Sequence, residues 1–153
     1  MMSHVAIVQV EIKDLGALKA ACADLGLSFM EDQKTYAWFG RSVGDYPLPD
    51  GFSERDLGHC EHAISLGDGR HPHAYEIGVV PRRDGKPGWT LLWDFFMGGY
   101  GLEEVIGDGT KNLIDRYAVN VVKWQALKLG YACQEFAKAD VSVDVVLTKK
   151  AGR

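Results

Sequence analysis

Leu25-Gly26-Leu27-Ser28-Phe29 and Leu129-Gly130-Tyr131-Ala132-Cys133 are the two stretches on which the fold reading turns. Each places a leucine and a glycine after an amphipathic run and before a short apolar or aromatic one. Glycine takes the left-handed conformation at a helix C-terminus without a Cβ clash, so Leu-Gly reads as a helix end. Upstream of Gly26, Leu15, Leu18, Cys22 and Leu25 recur at spacings of three and four, with Asp14 placed to cap the first turn. Upstream of Gly130, the periodicity predicts a helix from about Lys111 to Leu129, capped by Asp108 or Thr110. Leu113, Ile114, Tyr117, Ala118, Val121 and Trp124 share one side of it, and Asn112, Asp115, Arg116 and Lys123 the other.

Strand signals surround both helices. His4 to Ile12 alternates apolar and polar residues, and Leu27–Met30 with Thr35–Phe39 reads as a hairpin around the polar Glu31-Asp32-Gln33-Lys34. Tyr131–Phe136 and Val141–Thr148 repeat that pattern around residues 137–140. The expected fold is therefore α+β: a mainly antiparallel sheet with two helices on one face. It is built from pseudo-duplicated β-α-β-β units over residues 4–39 and 89–148, in a ferredoxin-like or related sandwich spanning residues 1–153 as a single domain. Between the copies, Gly40 to His59 reads as a long surface loop. Cys60–Leu66, Tyr75–Pro81 and Trp89–Met97 then form a meander, with Asp84-Gly85 as the turn between the last two. Gly98 to Gly109 reads as a flexible glycine-rich connector with a short apolar interruption.

Composition narrows the function classes. Apolar residues make up 46% and charged residues 25% of 153, which is ordinary for a folded domain and argues against wholesale disorder. A net charge of -4 argues against a protein whose main work is neutralising phosphates. No apolar run approaches the ~20 residues of a membrane-spanning helix, and residues 1–5 show no secretory signal. Three scattered cysteines, Cys22, Cys60 and Cys133, read as free thiols in a reducing compartment. A cytoplasmic protein with no membrane partner is expected.

The chain also resembles a known family in the order of its motifs. Met2-Ser3-His4, Asp14-Leu15, Leu25-Gly26, Tyr75-Glu76-Ile77-Gly78, Trp93-Asp94-Phe95-Phe96 and Arg116-Tyr117-Ala118 are similar to those of the hypothetical chloroplast reading-frame 35 family, also called domain of unknown function 1257. Members usually carry Asp-Trp-Trp-Gly where this chain has Asp94-Phe95-Phe96-Met97-Gly98. The family occurs in algal plastids, cyanobacteria, other bacteria and viruses of bacteria, so a viral member would act in the host-cell cytoplasm. The resemblance implies no catalytic residue.

Four groups of residues carry chemical possibilities. Asp94 stands in the apolar run Leu91–Phe96; if buried it needs a partner, with Arg116, Tyr117 or Tyr75 the candidates for a polar cluster. His59, Cys60, His62, His71 and His73 concentrate imidazoles and a thiol that suit zinc, yet their spacing matches no standard zinc pattern. A histidine-rich surface hairpin is the plainer reading. Arg82, Arg83 and Lys86 make a basic turn beside the aromatic Trp89, Trp93, Phe95 and Phe96, which together suggest single-stranded nucleic acid; a packed sheet core explains the aromatics more simply. The Gly98–Lys111 stretch lacks the Gly-Lys-Ser/Thr order of a phosphate loop. With no nucleophile arrangement in view, the favoured expectation is a non-enzymatic binding or adaptor module for another protein. The alternatives are a metal- or cofactor-binding enzyme and a nucleic-acid-binding protein.

Overall fold

Trp89–Asp94 (β5) is the strand about which the fold is organised, since its run Trp-Thr-Leu-Leu-Trp-Asp buries both faces. A computed structural model of the chain describes residues 5–7, 11–40, 48–49, 51–67, 71–137 and 143–149. Within them lie β1 (Val5–Ile7), helix α1 (Leu15–Asp24), β2 (Ser28–Met30), β3 (His62–Ser65), β4 (Ile77–Pro81) and β5. Helices α2 (Leu102–Ile106) and α3 (Lys111–Lys128) follow, then β6 (Tyr131–Ala137) and β7 (Val143–Lys149).

The first five strands form one sheet in the order β1-β5-β4-β3-β2, and each neighbouring pair is antiparallel. Alternation along the strands sends Ile64, Ile77, Val79, Leu91 and Trp93 to one face, where α1 and α3 cover them with Leu18, Cys22, Leu113 and Tyr117. Burying each such aliphatic side chain contributes roughly 2 kcal/mol. The opposite face carries Val5, Ala63, Val80 and Leu92, under Tyr36, Phe52 and Leu57. Both helices lie on one face, as the sequence predicts. The other face is closed by irregular chain.

Asp14 caps α1, accepting the Ala17 N–H at 3.0 Å. Gly16 lets α1 approach α3, because a Cβ there would stand 2.4 Å from the Trp124 indole.

Several expectations are corrected. Leu27–Met30 does not pair with Thr35–Phe39: β2 pairs with β3, Phe29 opposite Ile64, while Thr35 makes an isolated bridge to His59. The non-local partner wins because β3 offers buried apolar residues on both faces. Of the strand expected from His4 to Ile12, Val5–Ile7 is a strand and Ile12 bridges to Trp89, while His4 and residues 8–10 lie outside the described residues. The loop from Gly40 is not all surface, since Phe52 and Leu57 are buried against the sheet. The glycine-rich connector holds α2, whose Leu102 and Ile106 are wholly buried. Neither Asp108 nor Thr110 caps α3; the Thr110 hydroxyl instead donates to the Gly109 carbonyl. Finally, β6 and β7 form a separate two-stranded sheet packed on α3, so the strands of the two expected copies do not merge. The turn of that hairpin, residues 138–140, lies outside the described residues.

Candidate functional site

Asp94 is fully buried on the sheet face away from the helices. Its Oδ2 accepts the Phe39 N–H at 3.1 Å and its Oδ1 the Phe96 N–H at 3.0 Å. The carboxylate thus fastens the chain after Tyr36 to the end of β5, a structural task that answers the cost of burying it. Tyr75 packs edge-on to Tyr100 at 5.2 Å, and burial, with the charge of Asp94 nearby, pushes its phenol up.

Arg116 and Tyr117 belong to the helix side instead. Arg116 donates to Asp24 at 2.6 Å and to Glu135 at 3.0 Å, and Lys123 reaches Glu135 at 2.7 Å. The Tyr117 hydroxyl accepts the N–H groups of Lys13 and Asp14 at 3.0 and 3.2 Å, just before the first turn of α1. The sheet therefore divides the expected polar cluster into two pairs with separate tasks.

The histidine group is dispersed as well. His62 Nδ1 accepts the Asp32 N–H at 2.9 Å, between the rings of Phe29 and Trp89. The Cys60 thiol donates to the Gln33 carbonyl at 3.1 Å, and burial pushes it up to about 11, away from the thiolate a metal requires. His59 and His73 are exposed, and His71 packs at Gly101, 3.8 Å from Glu104. Among the described residues, no group of three or more His, Cys, Asp or Glu side chains is placed to hold a metal ion.

At the basic turn, Arg82 pairs with Glu11 at 3.1 Å and with Asp84. Arg83 lies over the Phe52 ring at 4.5 Å and 3.6 Å from Asp56. Asp84 also accepts the Lys86 backbone N–H at 3.1 Å. Trp93 faces the helices within the core, with Phe95 and Trp89 packed against it. These are poor conditions for a stacking platform, which needs exposed rings among available cations.

The glycine-rich stretch has an unusual backbone. Met97, Gly98, Gly99, Tyr100 and Gly101 all take positive φ, at 52°, 62°, 66°, 56° and 112°. Beside this turn, Met97, Gly98, Gly101, Glu103, Glu104 and Asp108 line a hollow of about 410 Å³. Its three carboxylates oppose a phosphate reading.

A larger feature lies on α3. Around that helix, Gly16 of α1 meets Trp124, Asp24 meets Arg116 and Asn120, and the Cys133 thiol of β6 contacts the Lys123 carbonyl. The remaining stripe, Ile114, Ala118, Val121 and Val122, at i, i+4, i+7 and i+8, leaves Ala118 and Val122 exposed, with Ile114 and Val121 half-buried against the core. Together with Leu15 it floors an open groove of about 610 Å³. Glu11, Lys13, Asp14, Tyr117 and Gln125 make its polar border. The volume falls in the range of small-molecule pockets, roughly 300–1,000 Å³.

Compared with family models, curated proteins and solved structures, the chain matches none.

The chemistry of the α3 groove is set by its border. Its titratable groups are committed: Asp14 to the helix cap, Glu11 to Arg82 and Lys13. Hydrogen bonds from Arg82 and then Lys13 hold the Glu11 carboxyl below its ordinary range. Such a border can orient a bound chain by hydrogen bonds; it offers no general base in an apolar setting. The sequence places Ile114, Ala118 and Val121 on the apolar side of α3; Ile114 and Val121 pack against the core as that side predicts, and Ala118 is exposed. The signal for a groove was an apolar arc wider than one packed helix fills. No helix among the described residues is long and apolar enough to cross a membrane.

Proposed function

We propose that the chain is a non-enzymatic protein-binding module, and that the α3 groove seats an apolar segment of a partner protein. One observation carries this reading: Ala118 and Val122 stand exposed beside the half-buried Ile114 and Val121, and the four together line one open groove on α3. Apolar residues at this helical spacing take up amphipathic helices by burying their anchors in the groove. The dispersal of the histidines and the division of Asp94 from Arg116 support binding over catalysis.

Selection of a random peptide library on the purified chain tests it. Peptides with apolar anchors three and four residues apart should be enriched, and Ala118→Arg, which fills the groove from an exposed helical position, should abolish their capture. Absence of enriched peptides, or capture unchanged by Ala118→Arg, overturns the proposal.

A further inference from the structure

His62 opens β3 on the helix-covered face, two residues before Ile64, and only 9% of it meets solvent. Its ring centroid lies 5.2 Å from that of Trp89 and 5.5 Å from that of Phe29. The Asp32 N–H donates to Nδ1 at 2.9 Å, so the neutral ring carries its proton on Nε2. That amide belongs to the turn after β2, where Asp32 has a φ of 61°, in the left-handed region. A residue with a Cβ stays there only when its surroundings hold it. The Asp32 carboxylate is the other neighbour of Nδ1: its Oδ1 lies 3.9 Å away, on a side chain 77% exposed.

Protonation reverses the chemistry at that one atom. An imidazolium donates from both nitrogens and accepts at neither, and imidazole is the side chain that changes charge between about pH 5 and 8. A protonated Nδ1 faces the Asp32 N–H donor to donor, with the carboxylate of the same residue about 1 Å beyond hydrogen-bond reach. A charge-assisted bond to that carboxylate is stronger than a neutral bond from the amide, and a small shift of the turn lets it form.

The surrounding charges leave this exchange to Asp32. Glu31 after β2 and Glu61 ahead of β3 interact electrostatically with the ring, but each is bound to a lysine: Lys19 of α1 at 2.6 Å and Lys34 at 2.8 Å. Lys19 also lies over the Phe29 ring, 5.5 Å from its centroid. From β5 the ring meets Trp89, and on β4 His62 pairs with Val79. Beyond Asp32 the chain is anchored twice by Cys60, whose thiol donates to the Gln33 carbonyl and whose N–H donates to the Lys34 carbonyl at 2.9 Å. A shift at Asp32 is thereby confined to the turn between β2 and those anchors.

We infer that His62 is a proton-operated latch on the turn after β2: the neutral ring holds the Asp32 amide, and the charged ring releases the amide and takes the Asp32 carboxylate in its place. The latch uses no residue of the α3 groove.

Nuclear magnetic resonance of the nitrogen-15-labelled full chain between pH 8 and pH 5 tests it. Ring nitrogen shifts should show a neutral His62 protonated on Nε2 at pH 8 and a doubly protonated ring at pH 5. The Asp32 amide resonance should move over the same pH interval as the ring. Its exchange protection, corrected for the intrinsic rate, should fall at least tenfold while that of the β4 amides is retained. His62→Asn offers an amide oxygen as acceptor and cannot take up the charge, so Asp32 should stay protected at both pH values. A ring uncharged at pH 5, an Asp32 amide that ignores the ring, equal loss of protection in β4, or a wild-type response in His62→Asn overturns the proposal. The ring and amide titrations need only the wild-type chain, so the outcome does not depend on how well the variant folds. Peptide capture by the groove should be the same in His62→Asn as in wild type, so the two readings fail separately.

Discussion

Arg116 donates to Glu135 at 3.0 Å, fastening α3 to β6, while its other nitrogens hold Asp24 at the end of α1. Asn120 adds a 2.9 Å bond to Asp24. The residue expected as a partner for Asp94 is instead the joint between two helices and the hairpin.

Arg116→Ala should lower the unfolding free energy by about 2 kcal/mol in urea titration, the scale for hydrogen bonds to charged groups. It should also change the acid response. Hydrogen bonds from Arg116 and then Lys123 lower the Glu135 pKa. At Asp24 burial pushes upward, but Asn120 and Arg116 outweigh it and the net shift is down. Both carboxyls therefore stabilise the fold above their ordinary values of 4.5 and 3.8, and that stability is lost as pH falls through the lowered ones. Below about pH 4.5 the wild type should lose stability more steeply than Arg116→Ala.

Asp94→Asn should cost about 2–3 kcal/mol, because an amide NH₂ replaces one of two acceptors that face backbone N–H groups. Hydrogen exchange should show lost protection at the Phe39 amide. Retained protection with unchanged melting temperature would contradict the tether.

These two residues show what the sequence could and could not reveal. The elements set by local pattern were legible: α1 with its Asp14 cap, α3 from Lys111, and the β4–β5 hairpin turning at Asp84-Gly85. Elements set by distant partners were not. Met30 pairs with Ala63, 33 positions along the chain, so the local hairpin expected from it does not form. Asp94 stood out as a carboxylate that would need a partner if buried; it is buried and accepts the Phe39 and Phe96 amides, which no side-chain pattern reveals. Likewise, the apolar arc of α3 said that Ile114 and Val121 avoid water, but not that α1 would cover only part of it.

Tyr36→Phe should leave stability unchanged or raise it by up to about 1 kcal/mol in thermal unfolding. Among the described residues the buried Tyr36 hydroxyl has no hydrogen-bond partner within normal geometry, and burial pushes its pKa up to about 12. Gly78→Ala should destabilise by about 1–3 kcal/mol, since the new Cβ would stand 2.4 Å from the Tyr36 ring.

Gly16→Ala reverses the usual rule for helices. Alanine is ordinarily about 1 kcal/mol better than glycine within a helix. Here its Cβ would lie 2.4 Å and 2.7 Å from two indole carbons of Trp124. The variant should be less stable than wild type by about 1–2 kcal/mol, with a red-shifted Trp124 emission as the indole is displaced. A more stable variant would show that α1 and α3 do not meet as described.

The central claim is that the open stripe of α3 is a binding surface, and a fluorescence-polarisation titration with one library-selected peptide tests it most directly. Wild type, Ala118→Arg and Met30→Arg are compared, Met30 being an exposed apolar residue on β2 that does not line the groove. The account predicts at least a tenfold loss of affinity for Ala118→Arg and none for Met30→Arg. Equal affinity for wild type and Ala118→Arg, with both variants folded, would contradict it.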